Sequence, residues 1–213
     1  MNVAVLASGA GTNLQALLDT VHGHDGIGIV AVASDRPGAP ALERARAASV
    51  PVRTFPVAEF ADRRERDRAM ADWLLERGAE LVVLAGYMQL LSAEFLGRFP
   101  GRVINVHPAL LPAFPGLGAV EQALDYGVKV FGVTVHFVDD GVDTGPVILQ
   151  HAIELPDAGS AEEVLAHLRP VEHRLLPEAV RLIAAGAVGF DPENPRRVLI
   201  GLPAGSRVGL PEL

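Results

Sequence analysis

The sequence predicts an α/β protein with a mostly parallel, twisted sheet and helices on both faces. Short apolar runs rich in β-branched residues alternate with amphipathic stretches, and the connections between them are short. Such alternation implies parallel strands joined by right-handed crossovers. In addition, Asn105 and His107 interrupt one of the apolar runs. Ligand sites of open α/β sheets lie at the carboxyl ends of strands, so this run is the first candidate site.

Composition bounds the class of protein. The 213 residues are 49% hydrophobic, enough for one large α/β domain with or without a small appendage. The absence of cysteine excludes disulfides and zinc–cysteine sites and fits a cytoplasmic location. The amino terminus has no basic region and predicts a first strand, not a signal peptide, and no apolar run approaches the roughly 20 residues of a membrane span. A net charge of −8 argues against nucleic-acid binding, although a helix amino terminus can still bind a small anion.

The first half of the chain alternates regularly between the two types of element. Strands are predicted at residues 2–7, 27–34, 52–55 and 81–85, and helices at residues 14–21, 41–48, 62–77 and 92–98. The third of these helices is highly charged. Its arginines Arg63, Arg64, Arg66 and Arg68 are expected to form a solvated face together with Glu65 and Asp67.

The strand Val103–His107 is predicted from its β-branched apolar residues. Asn105 and His107 are two positions apart, so their side chains point to the same face. Pro108 has no backbone donor and ends the strand. An amide and an imidazole are therefore expected together at the carboxyl end of a buried strand.

The second half continues the pattern. Strands are predicted at residues 130–138 and 147–153, helices at 118–126 and 160–185, and a last strand at 197–200. Thr134 and His136 share one face of the first of these strands, which is followed by an acidic turn. Ser160 is expected to cap the long helix. Pro170 is expected to kink or split that helix.

A glycine-rich loop follows the first strand. Residues 8–13 read Ser-Gly-Ala-Gly-Thr-Asn, with Thr12 or Asn13 as the expected helix cap and glycines that let the backbone approach a ligand. A dinucleotide fingerprint would have a third glycine where Leu14 stands. Asp35, after the second strand, still resembles the ribose-binding acid of that fingerprint. A nicotinamide-dependent oxidoreductase therefore stays open as an alternative.

Three motifs, in this order and spacing, resemble phosphoribosylglycinamide formyltransferase of purine synthesis. They are the loop at residues 8–13, the run Asn-Val-His-Pro-Ala-Leu-Leu-Pro at 105–112 and Asp-Thr-Gly-Pro at 143–146. The resemblance runs from residue 1 to about residue 186. It implies a Rossmann-like formyltransferase domain at residues 1–190, with a nucleotide-binding half at about 1–100 and a folate and catalytic half at about 101–190. A tail at 191–213 is left without a role.

The resemblance also implies an activity. In that family, 10-formyltetrahydrofolate donates its formyl group to the amine of glycinamide ribonucleotide. Asn105 and His107 would stabilise the negative charge that develops on the formyl oxygen. Asp143 would keep His107 charged and pass a proton through a water molecule. No metal ion is implied, and the expected partners are these small molecules, with the protein a monomer or homodimer.

Binding residues are carried over from the family in the same way. The ribonucleotide would contact Gly11, Thr12, Asn13, Gly86, Met88 and Glu172, with its phosphate on the backbone amides of the glycine loop. The folate would lie between two segments and contact Arg63, Met88, Gln89, Leu90, Leu91, Asn105, Val138, Asp139, Asp140 and Gly141.

The sequence departs from the family in three places. Gln89 stands where the family often has arginine, Gly118 stands where it often has histidine, and the tail beyond Phe190 does not match. Formyltetrahydrofolate deformylase shares the Asn, His and Asp set but normally has an extra amino-terminal domain. Methionyl-tRNA formyltransferase has a basic carboxyl-terminal domain, and a catalytically silent nucleotide-binding module would not need Asn105, His107 and Asp143 together. The hypothesis that the chain is a formyltransferase is therefore favoured.

Overall fold

The structure, a computed structural model, describes residues 1–201. Its strands are β1 (Asn2–Leu6), β2 (Gly28–Ser34), β3 (Val52–Thr54), β4 (Leu81–Leu84), β5 (Val103–His107), β6 (Val130–Phe137), β7 (Val147–Glu154), β8 (Val188–Asp191) and β9 (Asn194–Ile200). Its α-helices are α1 (Thr12–Thr20), α2 (Pro40–Ala47), α3 (Arg63–Glu76), α4 (Ala93–Arg98), α5 (Ala119–Tyr126) and α6 (Ala161–Ala184). The predicted α/β class is confirmed, and every predicted strand and helix has a counterpart.

Seven strands form the central sheet in the order β3-β2-β1-β4-β5-β6-β7. The pairs β2–β3, β1–β2, β1–β4 and β4–β5 are parallel, and β6–β7 is antiparallel. The four residues of β4 are all buried, as expected for a strand of a parallel sheet that is covered on both faces. The mostly parallel sheet is therefore confirmed. Strands β8 and β9 form a separate antiparallel hairpin.

The chain folds as two compact units, Met1–Asn105 and a second unit that begins at Val106. In the first unit, α1 begins at Thr12, and its cap is Gly11 in the left-handed conformation, with φ 72° and no side-chain hydrogen bond. The expected cap at Thr12 or Asn13 was therefore wrong. A Cβ atom at Gly11 would lie 2.7 Å from the backbone of Ala41 in α2, so the close approach of α2 requires glycine at this position.

The charged face predicted for α3 is only partly exposed. Arg63, Arg64 and Arg68 are exposed, but Arg66 and Asp67 are buried. Arg66 donates from Nη2 and Nε to the same oxygen of Asp67, at 2.7 and 3.0 Å. The prediction of a solvated face was therefore wrong for this pair, because the two opposite charges satisfy each other inside the unit.

In the second unit, α6 packs against β6 and β7. The hydroxyl of Ser160 accepts the backbone N–H of Glu163, which confirms the predicted cap. The helix continues for 24 residues through Pro170 and Pro177, so of the predicted kink or split at Pro170 the split does not occur. Each proline removes one backbone hydrogen bond, but packing of the apolar side of α6 keeps the helix continuous.

The β8–β9 hairpin includes the first part of the tail at residues 191–213 to which the sequence assigned no role. The predicted strand at residues 197–200 forms the end of β9, and β8 was not predicted. The rest of the predicted tail, residues 202–213, lies outside the described residues. Among residues 1–201, no helix has both the length and the apolar character needed to cross a bilayer.

Candidate active site

His107 is the buried end of β5. Its side chain is 6% exposed, and its backbone ends a strand whose other residues are mostly buried. Asn105, two positions earlier, is half-buried and projects from the same face of the strand. The predicted strand that contains both residues is therefore confirmed.

Asp143 lies close to His107 within the second unit. Nδ1 of His107 is 3.3 Å from Oδ2 of Asp143, and the same oxygen accepts the backbone N–H of Gly116 at 2.8 Å. The other oxygen, Oδ1, is 3.6 Å from Nε2 of His136. One carboxylate thus faces two imidazoles, of which only His107 was predicted to be its partner.

These neighbours change the acidity of Asp143. Burial disfavours the ionised form, but the hydrogen bonds from His136 and Gly116 and the charges of His107 and His136 outweigh it. Together they lower the pKa of the Asp143 carboxyl from 3.8 to about 2. Asp143 is therefore a carboxylate at neutral pH.

Each of the two histidines also has a backbone carbonyl as a second neighbour. His107 has Nε2 at 2.9 Å from the carbonyl of Phe114, and His136 has Nδ1 at 2.7 Å from its neighbour's carbonyl, that of Phe137. In each ring the second nitrogen faces Asp143. A carbonyl and a carboxylate can only accept hydrogen bonds, so each imidazole ring lies between two acceptors.

His136 is a residue whose place in the site was not predicted. The signal for it was present, since His136 and Thr134 share one face of β6. Thr134 Oγ1 donates to the carbonyl of Ala109 at 2.7 Å and accepts the N–H of Leu111 at 3.1 Å. It therefore holds the segment that follows His107.

Asp143 lies in the segment of residues 138–146 between β6 and β7, which we call the Asp143 loop. Its ends are joined by a hydrogen bond from the N–H of Phe137 to the carbonyl of Pro146, at 2.9 Å. Inside it, Asp139 accepts the hydroxyl of Thr144 at 2.6 Å and the N–H of Gly141 at 3.1 Å. The two acidic residues therefore differ in their partners: Asp139 makes hydrogen bonds within the loop, and Asp143 faces the two histidines.

Residues predicted to bind ligands in the first unit also lie in defined positions. Gly11 precedes α1, Thr12 is its first residue and Asn13 is buried. Gly86, two residues after the end of β4, has a left-handed φ of 74°. The N–H of Met88 donates to Oγ of Ser8 at 2.9 Å, which brings the glycine loop and the segment after β4 together.

Gln89 is directed into this unit. Its Nε2 donates to Asp35 at 3.1 Å, and its Oε1 accepts a long hydrogen bond from Arg66 at 3.5 Å. The other oxygen of Asp35 accepts the hydroxyl of Ser8 at 2.5 Å. Asp35, the residue behind the oxidoreductase alternative, is thus engaged in a network with Ser8 and Gln89.

The remaining predicted contacts are distributed over both units. Met88 and Leu90 are 51% and 56% exposed, Leu91 is half-buried, and Arg63 is exposed at the start of α3. Glu172 is half-buried in α6. Its neighbour His173 has a buried Nε2 without a hydrogen-bond partner, and burial followed by the charge of Arg169 lowers the pKa of His173. In the second unit, Val138 and Asp139 are half-buried, and Asp140 and Gly141 are exposed.

Comparison with known proteins decides the family. The formyl transferase family model matches residues 1–180. The chain belongs to the formyl transferase family. Within residues 1–201, no group of three or more His, Asp or Glu side chains is arranged to hold a metal ion.

Members of this family with similar length support the resemblance noted above. The chain is 44% identical over 202 residues to phosphoribosylglycinamide formyltransferase of Mycobacterium tuberculosis, covering 93% of this chain and 94% of that protein. The crystal structure of glycinamide ribonucleotide transformylase 1 from Symbiobacterium toebii has a TM-score of 0.90 at 46% identity, covering 94% of this chain and 93% of that one. The predicted resemblance to this formyl transferase is confirmed.

The chain also matches one part of a longer animal protein. It is 40% identical over 195 residues to the trifunctional purine biosynthetic protein adenosine-3 of Bos taurus. That match covers 91% of this chain but 19% of the bovine protein, so the chain spans about a fifth of the length of this relative.

Proposed function

We propose that this protein transfers the formyl group of 10-formyltetrahydrofolate to the amine of glycinamide ribonucleotide. The products are formylglycinamide ribonucleotide and tetrahydrofolate, a step of de novo purine biosynthesis. The observation that carries the proposal is the pairing of His107 with Asp143 at the end of β5, in a chain that belongs to the formyl transferase family. The names of the full-length relatives support the choice of substrates.

The chemistry needs a donor for a developing oxyanion. The substrate amine attacks the formyl carbon, and the carbonyl π electrons move to the formyl oxygen. Donors aimed at that oxygen stabilise the transition state more than the ground state. We assign this work to the amide of Asn105 and the imidazolium of His107. For His107, one N–H must exchange its present carbonyl acceptor, Phe114, for the formyl oxygen.

Asp143 acts on the protons of the reaction. As the carbon–nitrogen bond to the folate breaks, the leaving nitrogen gains a proton, and the attacking nitrogen loses one. A carboxylate with a lowered pKa is a weak base, so its first effect is to hold His107 in the charged form. We propose that a water molecule on Asp143 relays the proton between the two nitrogens. No step requires a metal ion.

The ribonucleotide site is proposed at the start of α1. The backbone amides of Gly11, Thr12 and Asn13 would bind the phosphate, because the N–H groups at a helix amino terminus point along the helix axis and the dipole there is positive. Gly86 and Met88 would line the rest of the site. Glu172 would bind the substrate amine.

The folate site is proposed from the family and from the exposure of apolar side chains. Met88 and Leu90 expose about half of their surface, as expected for side chains that bind an aromatic ring. The proposed set is completed by Arg63, Gln89, Leu91, Asn105, Val138, Asp139, Asp140 and Gly141. Gln89 is bonded to Asp35 and Arg66, so we assign it to support of the segment around Met88.

The proposal extends to the organisation of the protein. Residues 1–190 would form one formyltransferase domain, with the ribonucleotide bound mainly by its first half and the folate and catalytic residues mainly in its second. Both substrates are water-soluble metabolites, which fits a cytoplasmic protein that acts as a monomer or homodimer without nucleic-acid or membrane partners.

One assay tests this function against its nearest alternative. The protein is mixed with 10-formyltetrahydrofolate, and tetrahydrofolate formation is followed with and without glycinamide ribonucleotide. We expect turnover only when the ribonucleotide is present, with formylglycinamide ribonucleotide as the second product. Turnover without the ribonucleotide would support a deformylase, and no turnover with it would contradict the proposal.

A further inference from the structure

The β8–β9 hairpin, to which the sequence assigns no role, contacts the Asp143 loop and the strand that leads into it. The ring of Phe190 in β8 packs on that of Phe137, the last residue of β6, with centroids 5.0 Å apart. Phe190 is 3% exposed and Phe137 is fully buried. In β9, the guanidinium of Arg196 donates a hydrogen bond to the carbonyl of Thr144, the residue after Asp143. The hairpin therefore contacts both sides of the segment that presents Asp143.

The conformation of the Asp143 loop must be held by its surroundings. Asp143 has φ 52°, a left-handed conformation that is uncommon for residues other than glycine. On one side, Gly145 is pressed against the backbone, since a Cβ atom there would lie 1.8 Å from the carbonyl oxygen of Phe137. On the other side, Thr144 is exposed, and its carbonyl is bonded to Arg196.

We propose that Arg196 is a positioning residue for the reaction, acting through the peptide group that follows Asp143. A charge-assisted hydrogen bond to the Thr144 carbonyl fixes the plane of that peptide. The direction of the peptide in turn sets the direction in which the Asp143 carboxylate leaves the backbone, and hence its distance to His107. This inference rests on the proposed catalytic role of Asp143.

Arg197 provides a matched control on the same strand. It is the next residue of β9, and it pairs with Asp191 of the hairpin itself, at 3.5 Å. Its side chain is 69% exposed. Replacing Arg197 removes the same charge from the same hairpin without removing the bond to Thr144. Arg196→Gln and Arg197→Gln therefore differ in the contact that the proposal requires.

The first experiment measures kcat and KM for Arg196→Gln, Arg196→Lys and Arg197→Gln in the full chain. We expect Arg196→Gln to lower kcat by about two- to tenfold, the range for one hydrogen bond, with KM for both substrates unchanged. Arg196→Lys keeps a charged donor and should recover most of kcat, and Arg197→Gln should match the wild type. Equal kcat values for the two glutamine variants would overturn the proposal.

The second experiment does not depend on the reaction. Amide hydrogen exchange is followed in the peptide that contains the Asp143 loop. Exchange should be faster in Arg196→Gln than in the wild type and unchanged in Arg197→Gln. If the wild type has no transferase activity, the proposed function fails, and this measurement still decides whether Arg196 holds the loop. Identical exchange in all three proteins would overturn the positioning role.

Discussion

Nδ1 of His107 lies 3.3 Å from Oδ2 of Asp143, with both side chains largely buried. The carboxylate is held in this place by the N–H of Gly116 and by His136 on its other oxygen. The backbone N–H of Gly116 and the two imidazoles lower the pKa of Asp143, so the carboxylate stays ionised and faces His107 as an anion. Replacing the carboxylate by an amide of the same size tests both consequences.

The catalytic consequence is tested with Asp143→Asn. The amide cannot accept a proton and holds the imidazolium less well, so we expect kcat to fall by about 10²–10⁴-fold. KM should change little, because the loss concerns the transition state. Residual activity should shift to lower pH, where an imidazolium without a carboxylate partner stays charged. Steady-state kinetics over pH measure both effects.

Asp157→Asn, which changes an exposed carboxylate, is the control for that substitution and should keep wild-type kcat. An Asp143→Asn protein with more than about a tenth of wild-type kcat would lie outside the range for an acid–base group. If the pH profile of that protein is also unshifted, Asp143 serves only to form the turn, since asparagine also suits turns.

The same substitution has a consequence for stability. The pKa of Asp143 is about 2 in the folded protein, below its unperturbed value of 3.8. A lowered pKa means that the ionised carboxylate stabilises the fold above pH 3.8 and that this contribution is lost as the pH falls towards 2. The shift corresponds to about 2 kcal/mol. Urea unfolding of the wild type and Asp143→Asn should therefore show a difference that shrinks across this window. A difference independent of pH would contradict the lowered pKa.

Gln89 connects two buried charged residues, and its removal should destabilise the first unit. Gln89→Met keeps the length of the side chain but leaves Asp35 and Arg66 each without one partner. We expect a loss of about 1–3 kcal/mol in the free energy of unfolding. Gln15 is the matched control, because its amide also bridges a carboxylate and a guanidinium, those of Asp19 and Arg44, and Asp19 is exposed whereas Asp35 is buried.

For Gln15→Met we expect less than about 1 kcal/mol, since water replaces the lost bonds. Equal losses for the two variants would mean that the hydrogen bonds of Gln89 contribute no more to stability than those of Gln15. Chemical denaturation under one set of conditions measures both free energies.

The fold could be predicted where burial alone determines the pattern. The apolar runs of β4 and β5 indicate strands because a strand covered on both faces needs apolar residues throughout. The beginning of β9 could not be predicted, since its first four residues are all exposed and show no alternation of apolar and polar side chains. At Pro170 the sequence left a kink or a split open, and the helix is not split because packing of α6 outweighs the local effect of proline.

The candidate site shows the same division. Asn105 and His107 could be chosen from the strand pattern, whereas Asp143 was chosen from its motif and the resemblance to formyltransferases. The contact of His136 with Asp143 depends on the shape of the Asp143 loop, which has no simple pattern in sequence. For Arg66, a charged helix predicts exposure, and only a buried partner next to it in the chain reverses that expectation.

Arg66 and Asp67 form an ion pair inside the first unit. Their side chains are 2% and 0% exposed, and the second oxygen of Asp67 accepts the N–H of Ser92 at 2.7 Å. Arg66→Met would leave a buried carboxylate without its cation, which should cost about 3–5 kcal/mol. Adding Asp67→Asn removes that unpaired charge and keeps an acceptor for Ser92, so the double variant should be more stable than Arg66→Met alone.

Arg68 is an exposed neighbour on α3 and provides the control. Arg68→Met should change the free energy of unfolding by no more than about 0.5 kcal/mol. Urea unfolding of the wild type, Arg66→Met, Asp67→Asn and the double variant gives the coupling directly, and strictly additive losses would show that the two charges do not depend on each other.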